Sequence, residues 1–127
     1  MVSKNIVKIY LENSYYHIYN RGVEKRKIFN DKQDHSVFLS YLKEYLLPKD
    51  EKLLMDQLSD QDISYKEKDK IIKSLRMNNF FGKISLFAYC LMKNHFHFLL
   101  KQSELNTIHF FIKSICTRYA MYFNRKY

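Results

Sequence analysis

The chain is poor in the residues that interrupt regular structure and in those that cross-link it. Its 127 residues include 2 glycines, 1 proline, 2 cysteines and no tryptophan. The two cysteines, Cys90 and Cys116, lie in apolar runs, which argues against a disulfide framework and predicts small core residues. The sequence has neither an apolar signal region nor a stretch of about 18 apolar residues, so we expect a cytoplasmic protein that does not enter a membrane.

Apolar, aromatic and basic residues are what the chain does contain. Hydrophobic residues make up 46% and aromatic residues 17% of the sequence, which is enough for a real core, and the length fits one domain. Lysine and arginine number 22 against 13 acidic residues, giving a formal charge of +9. Such an excess suits a polyanionic partner such as nucleic acid, although an AT-rich genome also enriches lysine.

Two segments in the first half of the chain have a clear period. Residues 15–20, YYHIYN, alternate as a strand does and stop at Arg-Gly. Residues 34–47 repeat apolar side chains at helical spacing, an Asn-Asp pair before them can cap the helix, and Pro48 ends it. Residues 49–80 are then highly charged with two short amphipathic pieces, which predicts a helical insertion outside the main core.

The second half predicts a hairpin followed by a helix. Residues 83–92 and 95–101 are strand-type runs on either side of Lys93 and Asn94. Both runs are apolar at nearly every position, so we expect both of their faces to be covered. Helical spacing resumes after Asn106, a possible N-cap. The elements together predict an α+β fold, an antiparallel sheet with helices packed on one face.

KNHFHFLL, residues 93–100, places two histidines one residue apart in an apolar run. Strand side chains alternate, so His95 and His97 share one face with their backbones about 7 Å apart. Two neutral imidazoles at this spacing can converge on one divalent metal ion. The alternative is a pair of hydrogen-bonded, half-exposed strand histidines with no metal.

Three blocks of the chain, in order, resemble the single-tyrosine HUH transposases, in the branch of REP-associated tyrosine transposases and related insertion-sequence enzymes. MKNHFHFLL resembles their His-hydrophobic-His motif. YHIYNRGVEKRKIF, residues 16–29, resembles their opening strand with its Asn-Arg-Gly signature, and YAMYFNRKY, residues 119–127, resembles a segment of their later helix. From the first block to the last, they span residues 16–127, most of the chain.

The resemblance implies a ferredoxin-like core, usually dimeric, in which His95 and His97 hold Mg²⁺ or Mn²⁺. It implies a single-stranded DNA endonuclease and strand-transferase whose substrate is a DNA hairpin. The metal polarises the scissile phosphate, and a tyrosine attacks the phosphorus to give a 5′-phosphotyrosyl intermediate and a free 3′-hydroxyl.

The family's nucleophile lies in a Tyr-x-x-x-Asn or Tyr-x-x-x-Gln arrangement, which the end of this chain lacks. Phe123 stands four residues after Tyr119, and Lys126 stands four after Tyr122. We therefore expect the nucleophile beyond residue 127. Within the sequence, Tyr119 is the candidate nucleophile, and the alternative is that it is an ordinary aromatic residue facing the core. The same alternative applies to Tyr122. An inactive DNA-hairpin-binding domain is the alternative function, and an unrelated α+β protein with structural histidines is a third.

Other polar residues are candidates for DNA contacts. Asn20 and Arg21 end the first predicted strand, and Lys113 and Arg118 lie on the polar side of the last helix. A strand-ending turn and a solvated helix surface explain the same residues without DNA. His17 alternates with apolar neighbours and is predicted to be structural rather than a ligand.

Overall fold

The computed structural model describes residues 11–127. The predicted strands and helices are present, with bounds that differ by at most two residues from those expected, and a short 3₁₀ turn at Val23–Lys25 follows the first strand. The main elements, in chain order, are β1 (Tyr15–Arg21), α1 (Lys32–Leu46), α2 (Glu51–Leu58), α3 (Tyr65–Arg76), β2 (Ile84–Met92), β3 (His95–Gln102) and α4 (Thr107–Lys126).

The three strands form an antiparallel sheet in the order β1-β3-β2. β3 is therefore central, and in its pairing with β1, Ile18 lies opposite Phe98 and Tyr19 opposite His97. α1 and α4 pack on one face, where Phe38 and Phe111 bring their rings to 6.0 and 6.1 Å from that of Phe98. This arrangement confirms the predicted α+β, ferredoxin-like class of fold.

Strand β2 contains a one-residue step in its pairing with β3. Leu86 lies opposite Leu100 and Ala88 opposite Leu99, so Phe87 is an additional residue on the β2 side. Such a β-bulge changes the phase of side-chain alternation along one strand.

The core lies between the sheet and the two helices. Phe96, Phe98 and Leu100 alternate along β3 and are at most 2% exposed. Tyr119 of α4 and Phe38 of α1 meet edge to face with ring centroids 5.3 Å apart. Aromatic pairs in this geometry add about 0.5–1.5 kcal/mol beyond the area they bury, so this contact stabilises the packing of α4 against α1.

The two core helices begin in different ways. Asp31 caps α1, because its Oδ1 accepts a hydrogen bond from the backbone N–H of Asp34 at 2.9 Å. Asn106 stands at the predicted cap of α4 but has a φ of 64° and makes no capping hydrogen bond with its side chain. The buried Gln102 takes over this function, since its Oε1 accepts from Ile108 N–H at 3.0 Å.

The far end of α4 is tied to the start of α1 through a fully buried carboxylate. Asp34 accepts hydrogen bonds from the Tyr122 and Tyr127 hydroxyls at 2.7 and 2.6 Å, from Lys126 Nζ at 2.9 Å and from Asn30 N–H at 2.9 Å. Burial opposes the charge, but these hydrogen bonds together hold the pKa of Asp34 below its ordinary value of 3.8.

The charged segment forms a two-helix excursion. α2 and α3 pack against each other and contribute no buried residue. Lys49 donates from Nζ to the backbone carbonyls of Ser74, Leu75 and Met77 at 2.8–3.2 Å. The excursion is thus fastened where it leaves and rejoins the core.

Two expectations about the hairpin are wrong. Its second face is not covered, because α1 and α4 both pack on the other side of the sheet, and Phe87 and Leu99 are 55% and 42% exposed. For the same reason Cys90 is exposed, whereas Cys116, on the buried side of α4, is in the core as predicted. No helix within residues 11–127 has the length and apolar character needed to cross a membrane.

Candidate metal and nucleic-acid site

The side chains that point away from the helices form a surface that we call the open face. Residues directly opposite each other in a ladder share a face, so the register with β3 determines which side chains belong to it. The open face comprises Tyr15, His17, Tyr19 and Arg21 of β1, Ser85, Ala88, Cys90 and Met92 of β2, and His95, His97, Leu99 and Lys101 of β3. Phe87, the additional residue of β2, belongs to it as well, because its ring centroid lies 5.2 Å from that of Tyr15.

His95 and His97 lie together on this face, as their spacing predicts. Their ring centroids are 4.8 Å apart and the rings are nearly perpendicular, at 83°. Partial burial lowers the pKa of His97 below its ordinary 6.5, and the neighbouring charges of His95, His17 and Arg21 act in the same direction. The lowered pKa favours the neutral form of His97, which is the form in which an imidazole binds a metal ion.

His17 belongs to the same cluster. Its Nε2 lies 2.8 Å from Nδ1 of His97, and the two ring planes are within 16° of each other with centroids 5.0 Å apart, the arrangement of a hydrogen bond between ring nitrogens. The sequence alone did not predict this contact, because it depends on the register between β1 and β3, strands separated by more than 70 residues.

Asn94 is a further member of the cluster, for which the sequence predicted only a place in the hairpin turn. Its side-chain oxygen lies 2.6 Å from Nδ1 of His95. The available signal was its position in the Lys-Asn-His segment, immediately before the first histidine of the pair.

The donor set fits a metal ion in part. His95 and His97 supply two imidazole nitrogens, but among residues 11–127 no group of three or more His, Cys, Asp or Glu side chains is placed to hold a metal ion. Two imidazoles without a carboxylate suit Mn²⁺ better than Mg²⁺, which prefers oxygen ligands. A bound ion would therefore need water or a phosphate oxygen to complete its coordination.

Tyr119 does not fit the role of nucleophile. It is 4% exposed on the helix side of the sheet, and its hydroxyl donates a hydrogen bond to the backbone carbonyl of Ile28. Burial, then the nearby Asp34 carboxylate, raises the pKa of this phenol. Tyr122 is likewise bonded to Asp34 and has a raised pKa. The sheet separates both hydroxyls from the histidine pair. Tyr119 is thus a core aromatic residue, as the alternative to a nucleophile predicted.

A different tyrosine lies beside the histidines. Tyr19 is directly opposite His97 in the ladder, with ring centroids 5.8 Å apart, and is 59% exposed. Arg21 is exposed and lies opposite His95. The position of Arg21 is compatible with the predicted DNA contact, which stays a prediction.

The remaining candidates lie away from this cluster. Asn20 is buried, and its amide donates to Cys116 Sγ at 3.3 Å, which does not fit the expected DNA contact. Arg118 pairs with Glu44 and lies 3.9 Å above the ring of Tyr41. Lys113 borders a groove of about 860 Å³ between α3 and α4. Because α4 packs on the helix side, Lys113 and Arg118 are not part of the open face.

Comparison with family models, with curated proteins and with solved structures gives no match for this chain. Function is therefore inferred from the chemistry of the open face and from the motif resemblance.

Proposed function

We propose that this protein is a metal-dependent, single-stranded DNA endonuclease and strand-transferase of the tyrosine HUH type. The observation that carries the proposal is the position of His95 and His97, side by side on an accessible sheet face and 4.8 Å apart. Dimerisation, a cytoplasmic location and a hairpin substrate are implied by the motif resemblance and belong to the same proposal.

The surroundings of the histidines support a nucleic-acid ligand. Tyr15, Tyr19 and Phe87 are each more than half exposed on the open face. Lys101 Nζ lies 5.4 Å from the centre of the Tyr15 ring, so a cation borders the aromatic surface. Exposed rings beside cations bind unpaired strands, since stacking contributes about 1–3 kcal/mol per base and is available only where bases are unpaired.

The same face offers groups for phosphate chemistry. A divalent ion bound by His95 and His97 would act as a Lewis acid at the scissile phosphate. Arg21, opposite His95, can donate charge-assisted hydrogen bonds to the phosphate oxygens. In the cleavage step the tyrosine hydroxyl loses its proton as its oxygen bonds to phosphorus, the P–O3′ bond breaks, and O3′ takes up a proton to leave as the 3′-hydroxyl.

A DNA-binding domain without cleavage activity is the second candidate. It is favoured by Tyr119 and Tyr122, whose hydroxyls are bonded on the helix side of the sheet and cannot reach a phosphate held by the histidines. Tyr19 is the tyrosine whose position opposite His97 suits an attack on such a phosphate.

A labelled library of single-stranded hairpin oligonucleotides, mixed with the protein with and without Mn²⁺, tests both candidates. The enzyme predicts a denaturation-resistant adduct that requires Mn²⁺ and is lost in His95→Ala. Tyr19→Phe identifies or excludes that nucleophile, with Tyr65→Phe, at a 93% exposed position of α3, as the matched control. Mn²⁺-dependent binding without an adduct supports the second candidate, and the absence of binding contradicts both.

A further inference from the structure

We propose that Asn94 and His17 are positioning residues that fix the tautomers of His95 and His97, so that Nε2 of each ring keeps its lone pair for a ligand. The role of these tautomers in binding a metal ion rests on the proposed function. The tautomers themselves can be measured without metal or DNA.

The tautomer of His95 follows from the chemistry of its partner. Oδ1 of Asn94 lies 2.6 Å from Nδ1 of His95, and an amide oxygen can only accept a hydrogen bond. The proton of the neutral ring must therefore be on Nδ1. Nε2 is then unprotonated and available to a metal ion.

The orientation of the Asn94 amide is fixed by a second contact. Its Nδ2 donates to the backbone carbonyl of Lys25 at 3.3 Å. Exchanging the amide oxygen and nitrogen would bring two acceptor oxygens together at Lys25. Only the observed orientation satisfies both ends of the amide.

The Lys25 carbonyl is held by a loop under backbone strain. Glu24 and Lys25 have φ values of 55° and 60°, a left-handed conformation that costs non-glycine residues about 1–2 kcal/mol each. The loop is attached to the hairpin turn through the backbone, since Ile28 and Phe29 N–H donate to Lys93 O at 2.8 and 3.1 Å. Strained residues persist only where surrounding contacts determine them, and here they aim a carbonyl at Asn94.

Gly22 makes the same loop possible. Its N–H donates to the backbone carbonyl of Asn94 at 2.9 Å, and a Cβ at this position would lie 2.3 Å from the carbonyl oxygen of Arg26. The glycine of the Asn-Arg-Gly segment is therefore required by a close approach of backbone to backbone, directly behind the turn that carries Asn94.

The tautomer of His97 is linked to that of His17 by their pairing. In the 2.8 Å contact between His17 Nε2 and His97 Nδ1, one nitrogen carries the proton and the other accepts it. If His97 donates, its Nε2 is left free, as in His95. If His17 donates, His97 has a protonated Nε2 and its remaining lone pair is engaged by His17. Only the first arrangement gives two ligand nitrogens, and metal-binding histidines commonly donate their other ring N–H in this way.

Two-bond proton–nitrogen correlation NMR on protein with ¹⁵N-labelled histidine, free of metal and DNA and at a pH where the rings are neutral, reads the tautomers directly. We expect Nδ1–H at both His95 and His97. His35 is an internal control, because its Nδ1 lies 3.0 Å from the carbonyl oxygen of Asp31 and should carry the proton in every variant.

Substitutions separate positioning from general structural effects. Asn94→Ala removes the acceptor and should shift His95 to Nε2–H, the form that a free neutral histidine prefers in water. Asn94→Asp keeps an acceptor oxygen and should keep Nδ1–H. His17→Phe, at an exposed position, should shift His97 alone. In a Mn²⁺ titration Asn94→Ala should bind roughly 10- to 100-fold more weakly, whereas Asn94→Asp should bind at least as well as the parent protein.

Nε2–H at His95 or at His97 in the parent protein overturns the inference for that ring, and so does Nδ1–H that persists after its partner is removed. If the tautomers are as expected but the protein binds neither Mn²⁺ nor DNA, the proposed function fails while the assignment of the two positioning residues stands.

Discussion

The two faces of strand β3 differ completely although their residues are adjacent in sequence. Phe96 and Phe98 are 2% and 0% exposed beneath α1 and α4. Leu99, the next residue along the strand, points to the opposite face and is 42% exposed. His95 and His97 share that open side. One face thus supplies packing, and the other is free to carry polar groups that a core would not accept.

The comparison also shows why the apolar character of a strand is a poor guide to its burial. Leu99 and Phe87 would suit a core as well as Leu100 does, yet they remain at the surface. Exposed apolar side chains that form a contiguous patch mark an interaction site. The two faces of β3 thus separate the residues that pack the core from the residues that are accessible for binding.

The largest expected contrast is between Phe98→Ala and Leu99→Ala. Phe98 is fully buried, so its truncation should lower the free energy of unfolding by about 3–5 kcal/mol through lost burial and a residual cavity. Leu99→Ala should change it by about 0.5 kcal/mol. Urea denaturation followed by circular dichroism measures both, and equal losses would show that the open face is packed in solution.

The next contrast compares a buried carboxylate with an exposed one. Asp34→Ala leaves Lys126 and two tyrosine hydroxyls without their shared acceptor and should cost about 3 kcal/mol. Asp69 pairs with Lys73 on the surface of α3 at 3.0 Å, and Asp69→Ala should cost about 0.3 kcal/mol. Thermal and urea unfolding at pH 7 distinguish the two.

The same carboxylate gives a pH dependence with a definite sign. The folded-state pKa of Asp34 is below its ordinary 3.8, so its contribution is complete above about pH 4 and is lost as the pH falls toward the folded-state pKa. The free energy of unfolding should therefore fall as the pH is lowered from 5 to 3. Asp34→Asn should have a smaller slope over this range, and an unchanged slope would assign the acid sensitivity to other groups.

The smallest contrast compares two phenol hydroxyls. Tyr119→Phe removes the hydrogen bond to the Ile28 carbonyl and should lower the free energy of unfolding by about 1 kcal/mol. Tyr19→Phe, at a 59% exposed position on the open face, should change it by a few tenths. A stability loss in Tyr19→Phe as large as that in Tyr119→Phe would mean that the Tyr19 hydroxyl has a structural partner.

Local patterns in the sequence predicted most of the fold. The spacing of apolar residues located α1, α4 and the hairpin, and the Asp31 cap followed from residue chemistry. The prediction of a cap at Asn106 failed because a side chain from β3, Gln102, supplies the hydrogen bond instead. Gln102 is only six residues before Ile108, but its burial at the end of β3 and the left-handed backbone of Asn106 are set by tertiary packing, which residue types alone do not reveal.

The candidate site could be predicted only in part, because some of its contacts join strands that are far apart in the sequence. The face shared by His95 and His97 follows from alternation within one strand. The contact of His97 with His17 and the position of Tyr19 depend on pairing between strands far apart in sequence. The exposure of Cys90 depends on which side of the sheet the helices occupy, a choice that the uniformly apolar strands do not encode.

The step at Phe87 has a consequence for how this domain can change in length. Ile84 and Leu91 are seven residues apart, which would place them on opposite faces of a regular strand, yet they lie opposite Gln102 and Phe96, both buried on the helix side. Removing Phe87 would leave every other cross-strand partner in place and restore an uninterrupted ladder. Removing a residue elsewhere in β2 would move the side chains of part of the strand to the opposite face of the sheet. The domain thus has a position where the chain can lose one residue without moving either histidine.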